Sequence, residues 1–211
     1  MNRFPFACFA HFFQSSHLSI WKNALSLVLL LVAGQAFSQV CPNPSNLVTG
    51  PTNGIVNNYY QANAAGTLPV GATSLTLGTR DTRGANVPIV AGDLLLIMQM
   101  QDASINTSNN NTYGDGSGSG QGATSVGRSG LYEWVRVTNA AGPITFTPPL
   151  TNSYTQADAT AGTPQKRYQV VRAVQYSSLA VNGITAPSWN GLTGGVVAVD
   201  VRDTLTLGGG V

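Results

Sequence analysis

The chain has 211 residues, with ten Lys+Arg against eight Asp+Glu and a formal net charge of +2. Arg3 and Lys22 lie in the first 38 residues, so residues 39–211 carry eight cations and eight anions, which excludes the basic footprint of a nucleic-acid binder. Both histidines (His11 and His17) also precede residue 39, and Cys41 is the one cysteine after it, so that portion cannot supply a Ser-His-Asp triad, a Cys-His dyad, a His/Cys zinc site or an internal disulfide.

Residues 1–38 read as a signal peptide. Arg3 and Lys22 precede the apolar run Ala24–Ala33, and Ala36 and Ser38 place small residues at −3 and −1 for cleavage before Gln39. The run is short against the roughly twenty residues of a membrane span, so a membrane is reached only if this leader stays uncleaved. The expected location is secreted or at the cell surface.

The rest is rich in Gly, Thr, Ser, Asn and Val, a mix that disfavours helices and favours strands joined by tight turns. Residues 39–175 are expected to form an all-β, sandwich-like domain. Its prolines make Cys41–Thr52 extended, and Ile55–Tyr60 is the first expected strand. Ala62–Gly66 reads as a small-residue loop and Thr73–Leu77 as a half-buried strand. Arg80, Asp81 and Arg83 crowd the next loop, suited either to gripping an anion or to a solvated turn with its own ion pair. The strand on which the domain is built is Gly92–Gln101. Its apolar residues from Leu94 to Met98 are too few for a helix and suit burial on both faces, and from Ile97 onward the pattern alternates.

Residues 102–130 form a long Gly/Asn-rich loop, expected to be mobile and dispensable for folding because so few apolar residues offset its ordering entropy. Asp102, Asn106 and Asp115 offer oxygens for Ca²⁺, but their spacing matches no EF-hand and lacks a closing glutamate. No other cofactor is implied. Leu131–Val137 resumes as a strand, with Leu131, Glu133, Val135 and Val137 on one face and Tyr132, Trp134 and Arg136 on the other. Glu133 is either an acid with a raised pKa or a residue that sits at a sheet edge or pairs with an arginine. Ala140–Pro143 is a turn that makes a hairpin with Ile144–Thr147. Leu150–Gln165 reads as a polar connection and Arg167–Tyr176 as a long strand. Residues 176–211, with short strands at 176–183, 193–201 and 204–207 separated by Gly and Asn, read as the start of a parallel β-solenoid. Because it is left open after Leu207, the chain is expected to be a fragment of a longer one.

The stretches Gly92–Ala103 with Asn106, Gly130–Glu133, Val171–Leu179 and Ala186–Val201 together resemble the N-terminal region of large secreted bacterial surface proteins, adhesin-like and repeat-containing. The similarity spans Gly54 to the end. It implies a location and brings no catalytic residues. The expected function is a non-catalytic secreted or cell-surface module, structural or adhesive, with an extracellular glycan or another surface protein as partner. The alternative is a carbohydrate-binding module, or part of a glycan-active β-solenoid enzyme. Trp134 and Trp189 are its stacking candidates, with Tyr59 and Tyr60 behind them. Asp200 and Asp203 are the nearest thing to a carboxylate pair, but on a regular strand they face opposite ways.

Overall fold

In the computed structural model the described residues are 46–48, 53–106 and 122–208. The leader and the centre of the Gly/Asn-rich loop, Asp115 included, lie outside them. The described residues form strands and turns and no helix. In chain order the strands are β1 (Leu47–Val48), β2 (Gly54–Ile55), β3 (Asn58–Ala62), β4 (Gly66–Leu68), β5 (Ser74–Leu75), β6 (Leu77–Arg80), β7 (Leu94–Gln101) and β8 (Ser104–Ile105). There follow β9 (Ala123–Ser125), β10 (Tyr132–Asn139), β11 (Ile144–Thr147), β12 (Tyr154–Gln156), β13 (Arg167–Val181), β14 (Ile184–Thr185) and β15 (Val199–Leu207).

One antiparallel sheet runs β5-β11-β10-β7-β13-β3-β6. Its two ends, β5 and β6, are separated in sequence by Thr76 alone. Two peptide steps span no more than about 7 Å, so the sheet must curl until its edges meet at that residue. The all-β class is as expected, but the described residues do not build two packed layers. A single curled sheet takes their place, and the expected strand Thr73–Leu77 is divided between its opposite edges.

The inside of the curl is filled by Leu95 and Ile97 of β7, Val135 and Val137 of β10, Ile144 and Phe146 of β11, Tyr168 and Val170 of β13, and Tyr154. The apolar part of β7 is thus buried on both faces, because Leu94 and Leu96 lie on the outside with Tyr59, Val171 and Ala173. Polar side chains close the two ends of its apolar stretch. Before it, Arg172 grips Asp93 through Nε (2.6 Å) and NH2 (3.0 Å). After it, the fully buried Gln99 amide donates to the carbonyls of Gln101, Thr155 and Arg167 and accepts from Thr155 N.

Residues 193–198 lie across the outer face as a strap held by side chains rather than by a ladder. The Gln169 amide exchanges hydrogen bonds with Gly194 N and O, and the Asn57 amide does the same with Ala198. Tyr59 Oη donates to Val196 O. Each amide stands in for a peptide group of a neighbouring strand, so the strand expected over 193–201 starts only at Val199. The polar connection after Leu150 likewise hides β12, which pairs with β4. The expected long loop is narrower than 102–130, since β8 and β9 pair across its described flanks.

Closure of the curl depends on Gly78. A Cβ there would lie 2.6 Å from Ala62 O and 2.7 Å from Gln61 O, both fixed backbone atoms of β3. Gly78→Ala is therefore expected to destabilise the fold by about 1–3 kcal/mol, the usual range for forced overpacking. Chemical denaturation measures it, and a midpoint unchanged from the parent would show that β6 does not press on β3.

Candidate functional site

Two regions carry features beyond packing. The first is a set of parallel pairings. Strand β13 is shared, since its first half lies between β7 and β3 in the antiparallel sheet, and its second half pairs in parallel with β15 and β1. Leu47 faces Gln175, and further along β2 faces β14 with Gly54 opposite Ile184. Two successive strands thus lie beside two successive strands in the same direction. On the other side of β13, Gln175 faces Asp200, 25 positions on, and Ser178 faces Thr204, 26 positions on. The antiparallel sheet is in effect an excursion between β2 and β13. The boundary expected at residue 175 falls inside β13, because one strand serves both arrangements.

An apolar face runs along this set through Val48, Val174, Tyr176, Leu179, Val199 and Val201. It thins toward the end of β15, where Leu205 is 50% and Leu207 72% exposed. Among the described residues the outer edge of β15 pairs with no strand. A register shift between Tyr176 and Ser178 sets Arg202 and Asp203 opposite one residue, a bulge. Asp203 is ion-paired with Arg202 at the surface (2.9 Å), whereas Asp200 is half-buried beside Gln175 Nε2 (3.4 Å). The two carboxylates are therefore engaged separately.

Burial pushes the Asp200 carboxyl above its ordinary pKa, against the opposing pull of the Gln175 hydrogen bond and the Arg136 charge. A raised native pKa means a contribution present below the unfolded-state value and lost as pH rises through the native one. Asp200→Asn should accordingly be more stable than the parent near pH 7, with the difference vanishing in acid. Thermal unfolding of both proteins across pH measures this, and parallel pH profiles would contradict it.

The second region is a cleft of ≈ 320 Å³ between the end of β6 and the turn at 190–193. Gln61, Thr79, Arg80, Asp81 and Thr82 line one side, and Asn190, Leu192 and Thr193 the other. Thr193 Oγ1 donates to Asp81 Oδ2 (2.7 Å) and joins the two. Of the crowded loop charges, Arg83 takes the structural part. Its Nε and NH2 both reach the Asp81 carboxylate, and NH1 donates to Ser188 O. Those bonds hold the Asp81 carboxyl well below the usual carboxylate range. Tyr59, close to the same charge but raised mainly by burial, is pushed up to about 12.

The other candidates are dispersed. Asp102 is buried, with Lys166 Nζ at 2.9 Å on one oxygen and Arg128 N at 3.0 Å on the other. Lysine thus supplies the counter-charge a cation would bring. Asn106 N donates to Gly122 O, and Asp115 is outside the described residues. No group of three or more metal-ligating side chains occurs among those described. Trp134, opposite Leu96 on β10, packs against the outer apolar cluster, and Trp189 is half-buried in the loop before the strap. The one aromatic pair among the described residues is Tyr154 with Tyr168, so the two tryptophans do not stack together. Tyr59 is fully buried and cannot be a platform. Glu133 pairs with no arginine among the described residues. It accepts from the backbone N–H and side chains of Thr151 and Asn152, fixing the turn before β12.

No family model, curated protein or solved structure matches this chain, so any functional reading rests on these edges and side chains.

Proposed function

We propose that the chain is a non-catalytic structural module of an exported or cell-surface protein, the head on which a stack of parallel coils is founded. The observation that carries this reading is the pairing of β1 and β2 with β13 and β14, followed 25–26 positions later by β15, all in parallel. A repeat of this kind stabilises each coil on its neighbours, and its first coil needs a cap against edge-to-edge association. The curled sheet inserted between β2 and β13 supplies a large core at that position. Export is supported by the leader-like residues 1–38, and a non-catalytic role by the lack of histidine beyond them.

The experiment is to append two 26-residue parallel coils after Val211 and follow thermal unfolding and self-association. A higher midpoint with less association supports the reading. A midpoint and an association constant equal to those of the unextended chain would refute it.

A further inference from the structure

We infer that the cleft between β6 and the 190–193 turn is a binding site for an acidic sugar, a ligand joining one carboxylate to several hydroxyls. The argument begins with how this protein holds its own carboxylates. Arg172 grips Asp93 by its Nε–NH2 edge, and Arg83 grips Asp81 by the same edge. Such a planar fork matches the two oxygens of a carboxylate.

Arg80, which lines the cleft, is built differently. Its NH1 donates to Asp81 O (3.0 Å) and Ala85 O (3.0 Å), which fixes the guanidinium. Its Nε and NH2 make no hydrogen bond with the described residues, and no carboxylate among them pairs with it. The neighbouring Asp81 is already saturated by Arg83 and Thr193. The site is thus an anchored, half-used guanidinium carrying one unbalanced positive charge.

Its surroundings select among anions. Thr79 and Thr82 bring hydroxyls. The Gln61 side chain makes no hydrogen bond with the described residues, and Asn190 uses Oδ1 to cap Leu192 N and Thr193 N, which leaves its N–H₂ as a donor. Groups that both donate and accept suit a ligand's hydroxyls. Among the described residues no second cation, which a phosphate diester or polyanion would call for, lines the cleft, and no aromatic wall does. At ≈ 320 Å³ the space lies near the lower bound of about 300 Å³ for small-ligand pockets. One monosaccharide unit fits that scale.

The test is titration of the full chain with sodium glucuronate, with glucose and acetate as the hydroxyl-only and carboxylate-only probes, followed by amide NMR shifts. Glucuronate is expected to saturate at millimolar concentration and to shift the amides of residues 79–82 and 190–193. Glucose and acetate should each bind at least about tenfold more weakly, the scale of one charge-assisted contact. Arg80→Lys keeps the charge and loses the fork, and should weaken glucuronate about tenfold. Should that variant fail to fold, Gln61→Leu breaks no internal side-chain hydrogen bond and should weaken glucuronate about threefold, as for one neutral hydrogen bond. Acetate binding as tightly as glucuronate, unaltered affinity in Gln61→Leu or in a folded Arg80→Lys, or no saturable response would each overturn the assignment.

Discussion

Asp93→Ala is expected to destabilise the protein by about 3–5 kcal/mol, the usual effect of removing one partner from a buried ion pair. For a chain of this length each kcal/mol moves the thermal midpoint by roughly 2–4 °C, so a fall of roughly 6–20 °C should be seen. The reason is what remains behind. The Arg172 side chain is only 8% exposed and would keep its charge without a counter-ion. Val90 N and Asn46 Nδ2, which also donate to the Asp93 carboxylate, would lose their acceptor. Asn46 immediately precedes β1, so the damage reaches the parallel set as well as the end of the curl. The double variant Asp93→Ala with Arg172→Met removes both charges and should be milder than Asp93→Ala alone, since an apolar pair can replace a buried ion pair at little cost. Urea denaturation of the three proteins decides this. A single variant as stable as the parent would show that the pair is not a structural joint.

The second large effect concerns the end of β15. Full burial of a leucine side chain contributes about 1.5–3 kcal/mol, and Leu205 and Leu207 have half or more of their surface still to cover. Covering both with an appended coil should add about 2–4 kcal/mol, or roughly 4–16 °C in midpoint. The same coil occupies the outer hydrogen-bonding edge of β15, which otherwise invites pairing with another chain. Stability and solubility are thus expected to rise together. Leu205→Lys with Leu207→Lys should reduce self-association of the unextended chain and remove most of the stabilisation that a coil confers.

The strand at the centre of the curl was legible in the sequence because a short unbroken apolar run between polar ends has few other uses. The two faces of β10 and its hairpin with β11 were legible for the same kind of reason, since alternation and a Gly-Pro turn are local signals. The curl itself was not. It follows from Thr76 being the only link between two edges, a fact of pairing that alternation over Thr73–Leu77 does not encode. The strap escaped because its hydrogen bonds come from the side chains of Asn57 and Gln169, remote in sequence and neutral in any local pattern. At the cleft, the crowding of Arg80, Asp81 and Arg83 was visible, but not which arginine the carboxylate would take. That choice is what leaves Arg80 with an unfilled fork.

The most direct test of the proposed architecture is amide hydrogen exchange along β15. Gly208 N donates to Val181 O, so by alternation the amides of Leu205 and Leu207 point away from β13 while that of Thr206 points toward it. In the dilute, unextended chain, Leu205 and Leu207 should exchange rapidly and Thr206 slowly. With two coils appended, all three should become slow. Slow exchange at Leu205 and Leu207 before extension, or rapid exchange after it, would contradict a free parallel edge built to receive the next coil.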